Sequence, residues 1–254
     1  MKIQYCSDLH LEFPLNRRWL AAHPLSPLAE TLVIAGDCFH LGDDYADYDF
    51  IRWAADAFEA VYIVPGNHEY HGGYDASTAV GATLEAIQSN VFVANNTAVE
   101  IQGVRLIFST MWSLIYDNAE EITRRVTDFR RIRYQGERFT VSHFNTLHEH
   151  AFRFLKEEVA KAGKKLVVTH HLPSDQCNIE AYRGSPINPA FCVDYTDFIS
   201  ASDIDAWIYG HSHRNLPEFE IGGTRMLTNQ LGYVMLREHN AFKGDKVVEV
   251  DINP

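Results

Sequence analysis

Short apolar runs bounded by polar residues recur along the chain and predict β-strands. We interpret as strands the runs at 2–7, 31–35, 61–64, 90–94, 165–169, 205–209 and 247–252, together with 99–108, which is read as two strands around Gly103. The segment 219–226 contains Gly222-Gly223 between strand-like arms, a dipeptide typical of a β-hairpin.

Apolar residues at helical spacing lie between several of these runs and predict helices at 48–60, 76–89 and 142–162. The third stretch is the longest, and Gly163 follows it as a candidate C-cap. Strand and helix alternate in the first half of the chain, whereas the second half is rich in strands. This order predicts a layered α/β fold with mixed sheets. Without repeats or a Pro/Gly-rich linker, we expect one domain over residues 1–254.

The charge of the chain restricts its partners. Lys and Arg number 22 and Asp and Glu number 34, which gives a net charge of −12. An acidic surface repels nucleic acid and anionic membranes, so both are disfavoured as partners. A small anionic substrate is still compatible, because bound divalent cations reverse the local field.

The cysteines and the N-terminus indicate the compartment. None of the four cysteines shows Cys-x-x-Cys spacing, which favours reduced thiols over a zinc or redox motif. The first residues lack the apolar core of a signal peptide, and no apolar run approaches a membrane span. We therefore expect a cytoplasmic protein, whose oligomeric state the sequence does not indicate.

Five polar clusters share one position, directly after an apolar strand. They are Asp8-Leu9-His10, Gly36-Asp37, Gly66-Asn67-His68-Glu69, His170-His171 and Gly210-His211-Ser212-His213. Ligand sites of open α/β sheets gather at the carboxyl ends of the strands. The clusters are therefore expected to converge on one edge of the fold.

The chemistry of these clusters points to metal ions. Residues two apart in an extended segment face the same side, so His211 and His213 can reach one small volume, as can Asp8 and His10. Mixed oxygen and imidazole ligands suit Mn, Fe, Zn, Co or Ni. Taken singly, each cluster has a structural explanation; Asp37, for example, could cap a helix or form a turn. All five together exceed the needs of one metal and favour two ions that share a carboxylate.

The series D-x-H, G-D, G-N-H-E, T-H-H and G-H-S-H, which spans residues 8–213, resembles the calcineurin-like metallophosphoesterase superfamily, and especially its small bacterial single-domain members. The resemblance implies a sandwich of two mixed β-sheets flanked by helices. It also implies a metal-dependent hydrolase of phosphate mono- or diesters, in which a hydroxide that bridges two divalent metal ions attacks a small phosphorylated substrate. We expect Mn²⁺ first, with Fe, Zn, Co or Ni as alternatives.

Carried over by position, the resemblance assigns each motif residue. Asp8, His10 and His213 would bind the first metal, Asn67, His170 and His211 the second, and Asp37 both. His68 would bind no metal and would donate a proton or a hydrogen bond to the leaving group, so His68 and Asp37 are the catalytic candidates. Glu69 stands where many members have Asp. His171 is left open, either as a ligand in place of His170 or as a residue that supports the site.

Two other functions are kept open. One is a nucleotide or cyclic-nucleotide phosphodiesterase, which needs the same metals. The other is a non-catalytic binding module on the same fold, which predicts eroded ligands, whereas every expected ligand is present.

Residues outside the motifs give weaker expectations. Tyr70, Trp112, Tyr182 and Arg183 are candidate substrate contacts, and His40 and His71 are candidates for the pocket wall or for ordinary loop positions. The arginines at 124, 125, 130, 131 and 133 are interpreted as a solvated face in preference to a phosphate-recognition patch. His148 and His150 are expected on the surface of the long helix.

Overall fold

Two mixed six-stranded β-sheets stack on each other with helices on their outer faces, in a computed structural model that describes residues 1–45 and 48–251. The predicted α/β sandwich is therefore confirmed. No helix in these two ranges is long and apolar enough to cross a membrane.

The first sheet carries the N-terminal strands. It contains β1 (Lys2–Cys6), β2 (Thr31–Ala35), β3 (Ala60–Val64), β4 (Thr83–Gln88), β5 (Val91–Asn95) and β14 (Val247–Glu249) in the order β14-β1-β2-β3-β5-β4. Strands β1, β2, β3 and β5 run parallel, whereas the edge strands β14 and β4 are antiparallel to their neighbours. The carboxyl ends of β1, β2 and β3 therefore lie side by side.

The second sheet has the same plan. It contains β6 (Thr97–Ile101), β7 (Val104–Ser109), β10 (Lys164–Thr169), β11 (Ala206–Ile208), β12 (Phe219–Ile221) and β13 (Thr224–Leu227) in the order β12-β13-β11-β10-β7-β6. Its four inner strands run parallel and its two edge strands antiparallel. Strands β8 (Arg133–Tyr134) and β9 (Glu137–Arg138) form a separate pair.

Six α-helices lie in the described part of the chain. They are α1 (Pro14–Ala22), α2 (Asp49–Ala57), α3 (Ala119–Arg125), α4 (Asp128–Arg131), α5 (Val141–Val159) and α6 (Thr196–Ser200). Both faces of each sheet are covered, so the inner strands read as unbroken apolar runs instead of alternating ones. In β2, for example, Val33 faces the second sheet, whereas Leu32 and Ile34 face the helical side.

The two glycine-marked hairpins form as predicted. Gly222 and Gly223 have φ of 58° and 94° between β12 and β13, and Gln102 and Gly103 have φ of 50° and 78° between β6 and β7. Two consecutive positive φ angles are the signature of a type I′ turn, whose twist matches that of the flanking strands.

The helix predicted at 76–89 is wrong. Residues Ala76–Val80 form a short 3-10 helix, and β4 then pairs antiparallel with β5 at the edge of the first sheet. Without β4, the backbone N–H and C=O groups along the edge of β5 would be unpaired, and this favours a strand at 83–88. Pairing with a distant edge cannot be seen in the local periodicity of the sequence. Helix α1 was missed because only Asn16 and Leu20 in it are buried, too few for an apolar stripe.

Leu166→Ala should lower the free energy of unfolding by about 2–5 kcal/mol, because its side chain is fully buried between the two sheets and its loss leaves a cavity. Chemical denaturation measures the effect. Leu84→Ala is the matched control, since Leu84 is 50% exposed and should change stability by less than about 0.5 kcal/mol. Equal losses for both variants would show that the space between the sheets is not the main core.

Candidate metal centre

The five polar clusters meet at one edge of the sandwich. The loops after β1, β2 and β3 come from the first sheet, and those after β10 and β11 come from the second. The amide of Asp8 donates to the carbonyl of Gly36 (2.9 Å), and the amide of His211 donates to Asp8 Oδ1 (3.0 Å). The Asp8 carboxylate thus joins the two sheets at the site.

Five candidate ligands have left-handed backbone conformations. The φ angles are 55° at Asp8, 48° at His10, 54° at Asp37, 75° at His211 and 53° at His213. This region is uncommon for residues other than glycine. Each such residue costs free energy and persists only where the surrounding structure enforces it, which is typical of functional sites.

In the part of the chain that the structure describes, potential ligand atoms form three groups; one consists of His10, Glu12 and His68, and the other two share Asp37. The first of these two is Asp8, His10, Asp37 and His213, the second is Asp37, His170 and His211, and within each group the atoms lie within 4.8 Å of one another. Asn67 joins the second group through its Oδ1, which is 3.1 Å from His170 Nε2. One carboxylate between two clusters of donors is the arrangement that a pair of metal ions requires.

The donor set fits divalent cations. His10 Nε2 and His213 Nε2 are 3.0 Å apart, as are His170 Nε2 and His211 Nδ1, so pairs of imidazole nitrogens converge on common points. Burial lowers the pKa of His10 and His211, whereas at His170 the carboxylates of Asp37 and Asp8 outweigh burial and raise the pKa to about 9. The negative potential of these carboxylates attracts positive charge, and bound metal ions would supply that charge in place of protons.

The geometry favours His170 over His171 as the ligand. His170 Nδ1 donates to the carbonyl of Ala35 (2.9 Å), which leaves Nε2 directed at the cluster. His171 belongs to neither donor group in the described residues, and its Nδ1 lies 3.4 Å from the carbonyl of Thr110. Burial and the neighbouring His170 lower the pKa of His171 to about 3, so it stays neutral behind the site.

The glycines of three motifs make room for ligands. A Cβ atom added at Gly36 would lie 2.1 Å from His170 Nδ1, one at Gly66 would lie 2.1 Å from Asp37 Oδ1, and one at Gly210 would lie 2.7 Å from Asp8 Oδ2. Each glycine therefore allows a ligand from a neighbouring loop to pass its backbone. The close approach explains why glycine begins these motifs.

Glu69 connects the loops after β2 and β3. Its buried carboxylate accepts hydrogen bonds from the amides of Asp37 (3.0 Å), Cys38 (2.7 Å) and Gly66 (2.6 Å). Burial and the charge of Asp37 raise the pKa of Glu69 to about 8. The sequence marked Glu69 as part of a motif but gave no indication of this role.

Glu12 links two of the candidate histidines. Its Oε1 lies 2.9 Å from His10 Nδ1 and 2.9 Å from His68 Nδ1. Burial opposes ionisation, but these two contacts lower the pKa of Glu12 to about 2. Glu12 was not among the predicted site residues, although its spacing of two from His10 was an available signal.

Asp128 of α4 orients the Asn67 side chain. Its Oδ1 accepts hydrogen bonds from Asn67 Nδ2 (2.8 Å) and from His71 Nε2 (2.8 Å). The first bond turns the amide so that Asn67 Oδ1 faces His170. The sequence gave no indication of this role for Asp128, because 61 residues separate it from Asn67.

A cleft of about 470 Å³ opens onto the candidate ligands. Tyr182 and His71 line it, as does Arg125 from the five-arginine group. Tyr70 and Trp112, two of the predicted substrate contacts, are instead buried in the core. The predicted surface position of His148 is wrong, because its ring bonds the carbonyl of Trp112 (2.7 Å) and the hydroxyl of Tyr195 (2.6 Å) in the interior.

Comparison with known proteins identifies the family. The sequence profile of the calcineurin-like phosphoesterases matches residues 1–215. An uncharacterised protein of Acanthamoeba polyphaga mimivirus is 26% identical over 278 residues, covering 98% of this chain and 96% of its own. The chain therefore belongs to the calcineurin-like phosphoesterase family, as the motifs predicted.

One solved structure shares the fold with a TM-score above 0.5, and a second is less similar. A phosphopantetheinyl hydrolase from Mycobacterium tuberculosis superposes with a TM-score of 0.65 at 18% identity, over 98% of this chain and 96% of its own. A dimetal phosphatase from Danio rerio gives a TM-score of 0.47 at 13% identity, over 91% and 87% of the two chains. At these identities the likeness concerns the fold alone.

Gly66→Ala should weaken metal binding by about tenfold or more, because the added methyl displaces Asp37 and His170 from their shared position. Isothermal titration calorimetry with Mn²⁺ measures the change. Gly81→Ala is the control, since a Cβ there meets nothing within 4 Å. Unchanged affinity in Gly66→Ala would mean that the two side chains do not bind a metal together.

Proposed function

We propose that this protein is a dinuclear metal-dependent hydrolase of phosphate esters. The observation that carries the proposal is the position of Asp37 between two groups of donors, with His68 beside it. Asp8, His10 and His213 would hold one metal, Asn67, His170 and His211 the other, and Asp37 both. We expect Mn²⁺ first, with Fe, Zn, Co or Ni as alternatives.

The metal ions, when bound, lower the pKa of a water ligand and neutralise the charge of the phosphate oxygens. The reaction adds water across a P–O bond, so that phosphorus gains the hydroxyl and the leaving oxygen gains the proton. The protein groups bind and orient the ester and deliver that proton.

The contacts of His68 support it as the donor of that proton. Its amide donates to Asp37 Oδ1 (2.9 Å), which fixes the residue against the metal centre. Its Nδ1 faces Glu12, so Nε2 is the atom left for the leaving oxygen, and the Tyr233 hydroxyl lies 3.1 Å from it. Burial disfavours the charged ring, but Asp37 and Glu12 outweigh burial and raise the pKa of His68, which favours the protonated form of a general acid.

The cleft fits a small phosphorylated substrate, and we propose a cytoplasmic location for the reaction. All four cysteines are free and buried, as expected in a reducing compartment.

Metal-stripped protein should be inactive and should regain phosphoesterase activity with Mn²⁺. Asp37→Asn and His211→Ala should each reduce the restored rate by more than about 100-fold. Removing a residue that only hydrogen-bonds a metal ligand already costs about 10–100-fold in metal affinity or activity, and removing a ligand should cost more. Release of p-nitrophenol from bis-p-nitrophenyl phosphate and p-nitrophenyl phosphate measures activity. A phosphopantetheinyl ester belongs in the panel, because one protein of this fold is named for that hydrolysis.

His239→Ala serves as the histidine control, because the His239 ring packs tilted against Trp19 of α1, with centroids 5.2 Å apart, outside both donor groups. If two metals bind but no ester is hydrolysed with Mn²⁺, Co²⁺, Ni²⁺, Zn²⁺ or Fe²⁺, the protein is a binding module and the proposal is wrong.

His68→Ala should retain both metals and lose about 10²–10⁴-fold in turnover of esters with alkoxide leaving groups. Esters of p-nitrophenol should lose less, because that leaving group needs little protonation. Glu12→Gln should also reduce turnover more for esters with alkoxide leaving groups than for esters of p-nitrophenol, but by a smaller factor than His68→Ala. Metal content by elemental analysis and rates across a leaving-group series provide the measurement.

Equal losses for good and poor leaving groups in His68→Ala would contradict its role as proton donor. Loss of metal from His68→Ala would place the ring among the ligands instead.

A further inference from the structure

We infer that the substrate is a phosphodiester whose second organic group lies against an apolar wall of the cleft formed by Val126, Ile187 and Phe191. The inference rests on the proposed function and names the class of ester that the same site hydrolyses. Attack by water then breaks one P–O bond and yields a phosphomonoester and an alcohol.

The wall begins at the metal centre itself. The Phe191 ring stacks on the His211 ring, with centroids 4.7 Å apart and planes at 25°. Ile187 lies on the same segment between β10 and α6, and Val126 faces the cleft from the end of α3. An organic group on a phosphate bound at the metals would therefore contact these apolar side chains directly. The cleft volume of about 470 Å³ leaves room for such a group beside the phosphate.

The charges of the cleft favour a monoanion. Among the described residues that line it there is no lysine, and Arg125 is the single arginine. Its side chain is 47% exposed and pairs with Glu121 at 3.1 Å, which partly offsets its charge. A monoester brings two negative charges and a diester brings one. The second charge of a monoester would have only the metal ions and His68 as partners, whereas the second organic group of a diester also covers the apolar wall.

Beyond the apolar wall, Asn178 offers a hydrogen-bond acceptor. Its Nδ2 donates to Asn188 Oδ1 (2.6 Å), whereas its own Oδ1 is buried and has no hydrogen-bond partner in the described chain. Asn178 is 2% exposed, and both asparagines line the cleft. A buried acceptor without a donor costs free energy, so an N–H or O–H of the substrate is the expected partner. The second organic group should therefore combine apolar surface with a hydrogen-bond donor.

Three esters that share one leaving group test the wall. They are p-nitrophenyl phosphate, methyl p-nitrophenyl phosphate and bis-p-nitrophenyl phosphate, and all release p-nitrophenol. We expect kcat/KM to be lowest for the monoester. Relative to the rates of their uncatalysed hydrolysis, kcat/KM should be about tenfold higher for the bis-aryl diester than for the methyl diester, because the second ring is buried against the wall.

The variants Phe191→Ala and Ile187→Ala test whether the wall causes the difference in kcat/KM between the two diesters. Each should reduce the bis-aryl to methyl ratio of kcat/KM several-fold. The ratio is independent of metal occupancy, because both diesters react at the same centre with the same leaving group. Phe50→Ala is the matched control, since Phe50 lines a separate groove beside α1 and should leave the ratio unchanged.

Binding of ligands without a scissile ester gives an independent readout. Diphenylphosphinate, a monoanion with two aryl groups, should bind the Mn²⁺-loaded protein more tightly than phenylphosphonate, which has one aryl group and two charges above neutral pH. A higher kcat/KM for the monoester, tighter binding of the phosphonate, or an unchanged ratio in both wall variants would overturn the inference. If no ester is hydrolysed but the phosphinate still binds more tightly, the proposed function fails while this ligand class stands.

Discussion

The burial of the Asp8 and Asp37 carboxylates where the two sheets meet is the constraint on which the rest of the site depends. Both are almost completely inaccessible to solvent, and a buried charge is tolerated only beside an opposite charge or strong donors. Imidazoles from both sheets surround them, and backbone amides complete the shell. The left-handed backbone of five candidate ligands follows, because short loops must return each donor to the same point.

One of these buried carboxylates, that of Asp37, lies beside both His170 and His68, whose side chains point in different directions. The other partners of the two rings differ. The carbonyl of Ala35 accepts from Nδ1 of His170 and leaves Nε2 for the cluster, whereas Glu12 takes Nδ1 of His68 and directs its Nε2 towards the cleft. The partner at Nδ1 fixes each ring, but Glu12 contacts Nδ1 of the proposed ligand His10 as well, so the place of the residue in the fold, together with that partner, sets where Nε2 points.

The sequence was informative where chemistry follows directly from a strand. The loops after β1, β2, β3, β10 and β11 were placed correctly, because apolar runs fix the strands and the polar clusters come at their ends. Glu12 and Asp128 were missed as parts of the site, since their roles come from contacts with His68 and Asn67, far along the chain. The helix predicted at 76–89 failed for a related reason, because the edge of β5 decides that segment.

The chemistry and the selectivity of the cleft come from different parts of the chain. The candidate ligands sit at the ends of parallel strands, where the backbone is tied into the two sheets. Val126 and Phe191 lie in connections outside the sheets, and connections vary more readily than strands. A change in those connections would alter which ester fits without moving Asp37 or His170. The candidate metal centre is what this chain shares with the family, whereas the proposed wall would set which ester this member accepts.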